Sequence, residues 1–213
     1  MNNNFFKVKS LYSNANPKIL DLYENEENIL DIGCSTGMLA EKIRQINPIV
    51  KIDGVDISID AKHEAEKHLD NFYLLNLDTD EFPNFGKKFD LIILGDVLEH
   101  IKHPDELLLK LENLLTKNGK IIISIPNVAY FRIRFRLLFG NFDYGDTGIM
   151  DRTHLRFFTQ KTAKQLINSS GYKIEQEKFI FSKKLSSIKD TSKCKIINIF
   201  YRLFSVQFIF KIK

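Results

Sequence analysis

Short apolar runs of strand length alternate with amphipathic runs of helix length, and that alternation limits this chain to few architectures. Asn28–Ile32 is an apolar run stopped by Gly33, and Met38–Ile46 follows with Leu39, Ile43 and Ile46 at helical spacing. Ile49–Ile57 reads as a second strand, Ile59–Leu69 as an exposed helix and Phe72–Leu77 as a third strand. Phe89–Leu94 is almost continuously apolar, as a parallel strand buried on both faces would be. Pro104-Asp105-Glu106 opens a helix, with Pro and acids in its first turn, and Leu107, Leu108, Leu111, Leu114 and Leu115 form its apolar face. Lys117-Asn118-Gly119-Lys120 is expected to end that helix, ahead of a fifth strand, Ile121–Ile125, closed by Pro126. The spacing predicts one α/β domain, a parallel sheet with crossover helices. The last third departs from the pattern. A helix over Thr159–Ser170 ends at Gly171, Tyr172–Phe181 reads as a strand, Ile196–Phe204 as a helix and Val206–Ile212 as a strand, which predicts an antiparallel pair at one sheet edge.

Composition narrows the class further. Two cysteines, Cys34 and Cys194, cannot build a disulfide framework, so a reducing, cytoplasmic setting is expected. Met1–Lys7 lacks a basic region followed by an apolar run, so no leader is expected, and no stretch of 18 apolar residues exists. From Phe181 to Lys213 there are eight basic residues and one acid, so this end carries +7 while residues 1–180 carry −3. Such an end is either a solvated face or a surface for an anionic neighbour.

The sharpest local signal is Ile29-Leu30-Asp31-Ile32-Gly33-Cys34-Ser35-Thr36-Gly37, a strand, a tight turn and a helix start. A dinucleotide site would show G-x-G-x-x-G, but Ser35 stands where its second glycine would fall. Asp31 sets a carboxylate near the turn, which repels a pyrophosphate and suits a ligand with positive charge. Asp56, at the end of the second strand, can accept from both hydroxyls of a ribose, and Asp78, expected to close the third strand, from an adenine amino group. Three aspartates at the carboxyl ends of successive strands mark the crevice where α/β sheets bind ligands.

With these residues the chain resembles the class I S-adenosylmethionine-dependent methyltransferases over about residues 15–180, adding Phe89-Asp90-Leu91-Ile92, Leu98-Glu99-His100 and Asn118-Gly119. The resemblance implies a Rossmann-like sheet of seven strands in the order 3-2-1-4-5-7-6, strand 7 antiparallel, helices on both faces, and S-adenosyl-L-methionine as cofactor. It implies Gly33 and Gly37 at the methionine part, Asp31 near its charges, Asp56 at the ribose and Asp78 at the adenine, with Cys34, Ile57 and Gly95 completing the shell. It also divides the single domain 1–213 into a helical lead-in (1–25), an acceptor lid (128–158) and a basic connector (182–205).

Chemistry is expected after strand four, in Gly95-Asp96-Val97-Leu98-Glu99-His100. On a helical turn Asp96, Glu99 and His100 would share one face, and the imidazole can take the proton of an acceptor hydroxyl. Equally, Glu99 and His100 can serve only to tie neighbouring loops. A second cluster, Asp151-Arg152-Thr153-His154-Leu155-Arg156, supplies His154 as a further catalytic candidate and Asp151, His154 and Arg156 as acceptor contacts. No metal is assigned, although Asp96, Glu99, His100 and His154 form an alternative divalent-cation set. That set is similar to the Glu-His segments of small-RNA 3′-end and ubiquinone-pathway methyltransferases. Tyr130–Phe139 interleaves Arg132, Arg134 and Arg136 with aromatic residues, so it can grip phosphate while its rings meet lipid or a base, or it can cover the cleft as an ordinary amphipathic helix.

The stretch from Ile125 through Thr159 resembles methyltransferases encoded with bacterial glycan and surface-polysaccharide enzymes. This implies O-methylation of a glycan or lipid-linked small acceptor, with Arg132 and Arg136 near its phosphate. A metal-assisted enzyme acting on an RNA ribose or a quinone-type ring, and a non-catalytic binding module, are the alternatives. No stable nucleic-acid partner is expected, and only weak membrane association through the basic C-terminal segment.

Overall fold

The computed structural model describes residues 17–182 and 195–213. The calls on residues 1–16, and on 183–194 within the basic connector, lie outside that range.

Helix α1 (Pro17–Leu20) leads into β1 (Asn28–Ile32), α2 (Met38–Ile46), β2 (Lys51–Asp56), α3 (Ile59–Ala65) and β3 (Asn71–Leu74). The chain then returns to the middle of the sheet as β4 (Phe89–Gly95), followed by a 3₁₀ turn (Leu98–His100), α4 (Pro104–Glu112) and β5 (Leu115–Pro126). Helix α5 (Phe131–Leu138), α6 (Gln160–Ser169), β6 (Ile174–Phe181), α7 (Lys195–Phe204) and β7 (Ser205–Ile212) complete it. The seven strands lie in the order β3-β2-β1-β4-β5-β7-β6. β1 to β5 are mutually parallel, while β7 runs antiparallel to both β5 and β6, as the resemblance implied.

Alternation along each strand divides the core in two. Leu30, Ile32, Ile92, Leu94, Ile121, Ile123, Phe208 and Phe210 face one side, where α4 and α6 contribute Leu107, Leu108, Leu111, Ala163 and Ile167. Ile29, Leu91, Ile93, Ile122 and Ile209 face the other, against Leu39, Ala40 and Ile43 of α2 and Ala65 of α3. Both faces are covered, so the central strands read as unbroken apolar runs.

Several boundaries differ from expectation. Helix α4 ends at Glu112, and Leu115 already belongs to β5, so Lys117–Lys120 lies within the strand. Pairing jumps from Phe89↔Leu115 to Leu91↔Lys120, an irregularity that absorbs the polar Lys117-Asn118-Gly119 turn. A Cβ on Gly119 would come within 2.8 Å of the Phe89 carbonyl oxygen, so this close approach requires glycine. Strand β3 stops at Leu74, and Asp78 therefore stands in the turn beyond it. Tyr172 precedes β6 and donates its hydroxyl to the Leu108 carbonyl, 2.9 Å away, pinning α4.

Candidate functional site

The strand order reverses between β1 and β4, and the residues expected to bind ligands gather at the carboxyl ends of the strands flanking that switch point. Gly33, Ser35 and Gly37 all have positive φ (73°, 47° and 76°), so the turn after β1 coils tightly enough for the N–H groups of Gly33 and Cys34 both to donate to the Val55 carbonyl. The need for glycine is internal as well as conformational. A Cβ at 33 would lie 2.6 Å from Val97 Cγ2, and one at 37 would lie 3.2 Å from the backbone of Ala65. The turn thus packs directly against the segment that carries the second half of the site.

Asp31 is buried, and its carboxyl is pushed up to about 7 by that burial and, secondarily, by the negative charge of Asp56. Asp56 ties two loops together, accepting from the Ser35 N–H and the Ser58 N–H at 2.8 Å each. Ile57 beside it is 67% exposed, an apolar face open to a flat ring. Asp78 accepts from the Lys102 N–H at 2.9 Å. Cys34 is buried, its thiol pushed up by desolvation and by Asp31 and Asp56, so it is an inert wall. Gly95 ends β4.

The second half is built by the 3₁₀ turn and residues 151–156. The Glu99 carbonyl accepts from both Leu155 and Arg156 N–H groups at 2.8 and 2.9 Å, which brings His154 beside His100. Their rings meet edge to face with centroids 4.8 Å apart. His100 Nδ1 lies 3.2 Å from the Thr153 carbonyl oxygen and His154 Nδ1 lies 3.1 Å from that of Ile149. A carbonyl only accepts, so each Nδ1 is the donor, and in the neutral ring the Nε2 lone pair is available. Burial, and then the neighbouring His100, hold His154 below the usual imidazole range. Glu99 is 1% exposed, neither of its carboxylate oxygens has a hydrogen-bond partner among the described residues, and burial and then Asp96 push its carboxyl well up. Glu99, His100 and His154 each offer a ligand atom within 4.8 Å of the others'.

Asp96 does not join them. Its φ is +57°, and its Oδ1 accepts from the Ser124 hydroxyl at 2.8 Å and from the Gln207 amide, while burial raises its carboxyl. Of the four residues of the alternative cation set, Glu99, His100 and His154 lie together, while the chain turns left-handed at Asp96 and directs it to Ser124 and Gln207. Ser124 and Gln207, on β5 and β7, had no local sequence signal. They reach Asp96 only through sheet pairing.

The acceptor candidates are mostly tied to their own loops. Asp151 accepts the N–H and hydroxyl of Thr153 at 2.8 and 2.7 Å, and these bonds outweigh partial burial to hold its carboxyl low. Arg156 donates to the Lys102 carbonyl, and Arg136 pairs with Asp143. Arg132 lies over the Phe131 ring. A run of rings the sequence reading missed, Phe142, Tyr144 and Phe157, continues from His154, with Phe157 6.1 Å from that imidazole and 5.9 Å from Phe142.

Comparison with known proteins gives a consistent picture. A sequence family described as a methyltransferase domain matches residues 8–177. Malonyl-[acyl-carrier protein] O-methyltransferase 1 of Ilyobacter polytropus is 34% identical over 114 residues, covering 52% of this chain and 42% of that protein. Ubiquinone biosynthesis O-methyltransferase of Glaesserella parasuis is 31% identical over 110 residues, covering 47% of this chain and 46% of that protein. The matched stretch thus spans less than half the length of these two relatives. Among solved structures, a SAM dependent methyltransferase from Archaeoglobus fulgidus superposes over the whole of both chains with a TM-score of 0.66 at 17% identity. The plantazolicin methyltransferase BpumL in complex with SAH does so over 98% of this chain and 81% of that one, with a TM-score of 0.60 at 20% identity.

Proposed function

Since the chain belongs to the class I S-adenosylmethionine-dependent methyltransferases, we propose that it methylates an oxygen of a glycan or lipid-linked small acceptor. The observation that carries a catalytic role is the pair of imidazoles anchored through Nδ1, set against the buried Glu99 of the 3₁₀ turn that follows β4. The turn 33–37 packs on Val97, so these groups adjoin the pocket proposed for the cofactor.

The residues present fit S-adenosyl-L-methionine. Asp31 offers buried negative charge for its ammonium and sulfonium groups, and α2 has no side-chain cap, so its N-terminal N–H groups can meet a carboxylate. Asp56 keeps lone pairs for ribose hydroxyls beyond the two N–H groups it accepts, and Ile57 suits the adenine face. When bound, the cofactor supplies an electrophilic methyl group. The chain's own part is to orient the acceptor hydroxyl and take its proton at His100 Nε2, with Thr153 holding the ring. Support for an oxygen acceptor comes from the two relatives named above, both O-methyltransferases. Arg132 and Arg134 on α5 are the exposed cations available to an acceptor phosphate.

A second reading is favoured by Glu99, whose two oxygens are buried and unpartnered: with His100 and His154 it can hold a divalent cation. Both readings are tested by offering labelled cofactor and nucleotide sugars, lipid-linked glycans, quinone precursors and RNA to the purified protein. Label on a glycan or lipid-linked oxygen is expected, with turnover falling by about 10²-fold in His100→Ala. No transfer to any acceptor, together with no calorimetric cofactor binding, would sink the proposal. Activity that survives EDTA supports proton transfer by His100, and loss restored by Mg²⁺ or Mn²⁺ supports the cation.

A further inference from the structure

Helix α5 and the turn after it present apolar side chains that the described residues leave largely uncovered. No residue of α5 is buried, Leu138 is 77% exposed and Phe139 66%, and Phe135 and Leu137 are also exposed. Lone exposed apolar residues are ordinary, but these are contiguous. Phe135 and Phe139 stack edge to face at 4.9 Å, and Phe131 meets Phe204 of α7 at 5.0 Å, which continues through a 4.3 Å contact to the exposed Phe200. The cations are arranged around them. Arg132 and Arg134 flank them on α5, Arg136 is paired with Asp143 just beyond the turn, and exposed Arg202 adds another cation from α7. Apolar rings ringed by arginine complement an interface of acyl chains below anionic headgroups. A second copy of the chain covers the patch less well, because a twofold contact sets arginine against arginine.

We infer that α5, with the adjoining end of α7, docks this protein on an anionic lipid bilayer. The docking is peripheral: no helix among the described residues is long and apolar enough to cross a membrane. The surface shares Phe200, Arg202 and Phe204 with the basic segment expected to touch lipid and adds α5, which that expectation did not include; residues 183–194 of the segment are not described. Phe142, three residues after Phe139, begins a run of ring contacts through Phe157 to His154, so the segment following the patch reaches the site. Taken with the proposed methyl transfer, on which this step rests, docking selects an acceptor whose apolar part stays in lipid while its hydroxyl reaches His100.

The docking itself is testable without any acceptor. The full chain is cosedimented with neutral phosphatidylcholine vesicles and with vesicles containing phosphatidylglycerol, at low and high salt. Binding to the anionic vesicles is expected, weakened but not abolished by salt. A Phe135→Ser/Leu138→Ser variant should lose about tenfold or more of it while its melting temperature and calorimetric cofactor binding stay unchanged, since neither side chain is packed in the core. Absence of binding to anionic vesicles, or equal binding by the double variant, overturns the inference. So does a wild-type dimer in ultracentrifugation that this variant dissociates, which would make a second copy the occupant. Vesicle binding without methyl transfer to any acceptor would leave the docking standing and remove the proposed reaction.

Discussion

Asp31 links folding to pH, and under the proposed function it links both to the cofactor. Its ordinary value is 3.8, and burial, helped by the facing Asp56 and next to the inert Cys34 thiol, moves it to about 7. Between those values the folded chain keeps a proton that the unfolded chain has released, so this residue's contribution to stability falls as pH rises from about 4 to about 7 and is level above. A cationic ligand reverses the preference. Below about 7 it must displace that proton, so cofactor affinity is expected to rise with pH by up to about tenfold per unit and then plateau. Titration calorimetry from acid to mildly alkaline pH measures this, and Asp31→Asn should flatten the curve and weaken binding throughout. A flat profile in the unmodified protein would remove Asp31 from contact with the cofactor's charge. The nearby Asp56 is expected to contribute about 2–3 kcal/mol to cofactor binding through charge-assisted bonds to the ribose. Calorimetry on Asp56→Ala would show no change in dissociation constant if that assignment is wrong.

At the scale of elements, the turn after β1 depends on a contact that no local pattern displays. Glycine at 33 satisfies a φ of 73°, which the sequence signalled, but it also clears the Val97 side chain beyond β4. Gly33→Ala should therefore destabilise the protein by about 2–3 kcal/mol, combining left-handed strain with a steric overlap. In a double-mutant cycle with Val97→Ala the two costs should fall short of additivity by more than about 0.5 kcal/mol. Additive denaturation midpoints would mean that the backbone shifts to absorb the overlap. Other elements were marked more openly. Thr159 caps α6 reciprocally with Thr162, and Pro104 with two acids starts α4 where the sequence placed it. The misplaced end of α4 has the opposite origin: Leu114 and Leu115 continue the helical spacing, but Leu115 is taken by pairing with Phe89.

For the whole molecule, the last strand closes on the first segment. Lys211 of β7 is fully buried, donates to the Leu22 carbonyl at 2.8 Å and pairs with Glu26 at 2.9 Å and Glu24 at 3.0 Å. A charge removed from water in this way is costly to strand, so Lys211→Met should lower stability by about 3 kcal/mol and the melting temperature by about 6–12 °C. A loss below about 1 kcal/mol would show the cluster to be dispensable. The strand–helix alternation marked an α/β fold with a parallel sheet, the resemblance carried by the glycine turn and the strand-end aspartates implied the sheet order that the structure shows, and the same residues marked the proposed cofactor pocket. Each is a local pattern whose period or spacing has one physical reading. The proposed catalytic cluster was legible only as separate residues. Tertiary structure decided that Glu99, His100 and His154 converge while Asp96 turns to Ser124 and Gln207, because one left-handed residue and strand pairing across more than 80 positions set those directions. It likewise decided that α5 lies exposed: its Arg–Phe pattern fits a covered or an open helix equally, and only the packing of its neighbours distinguishes the two.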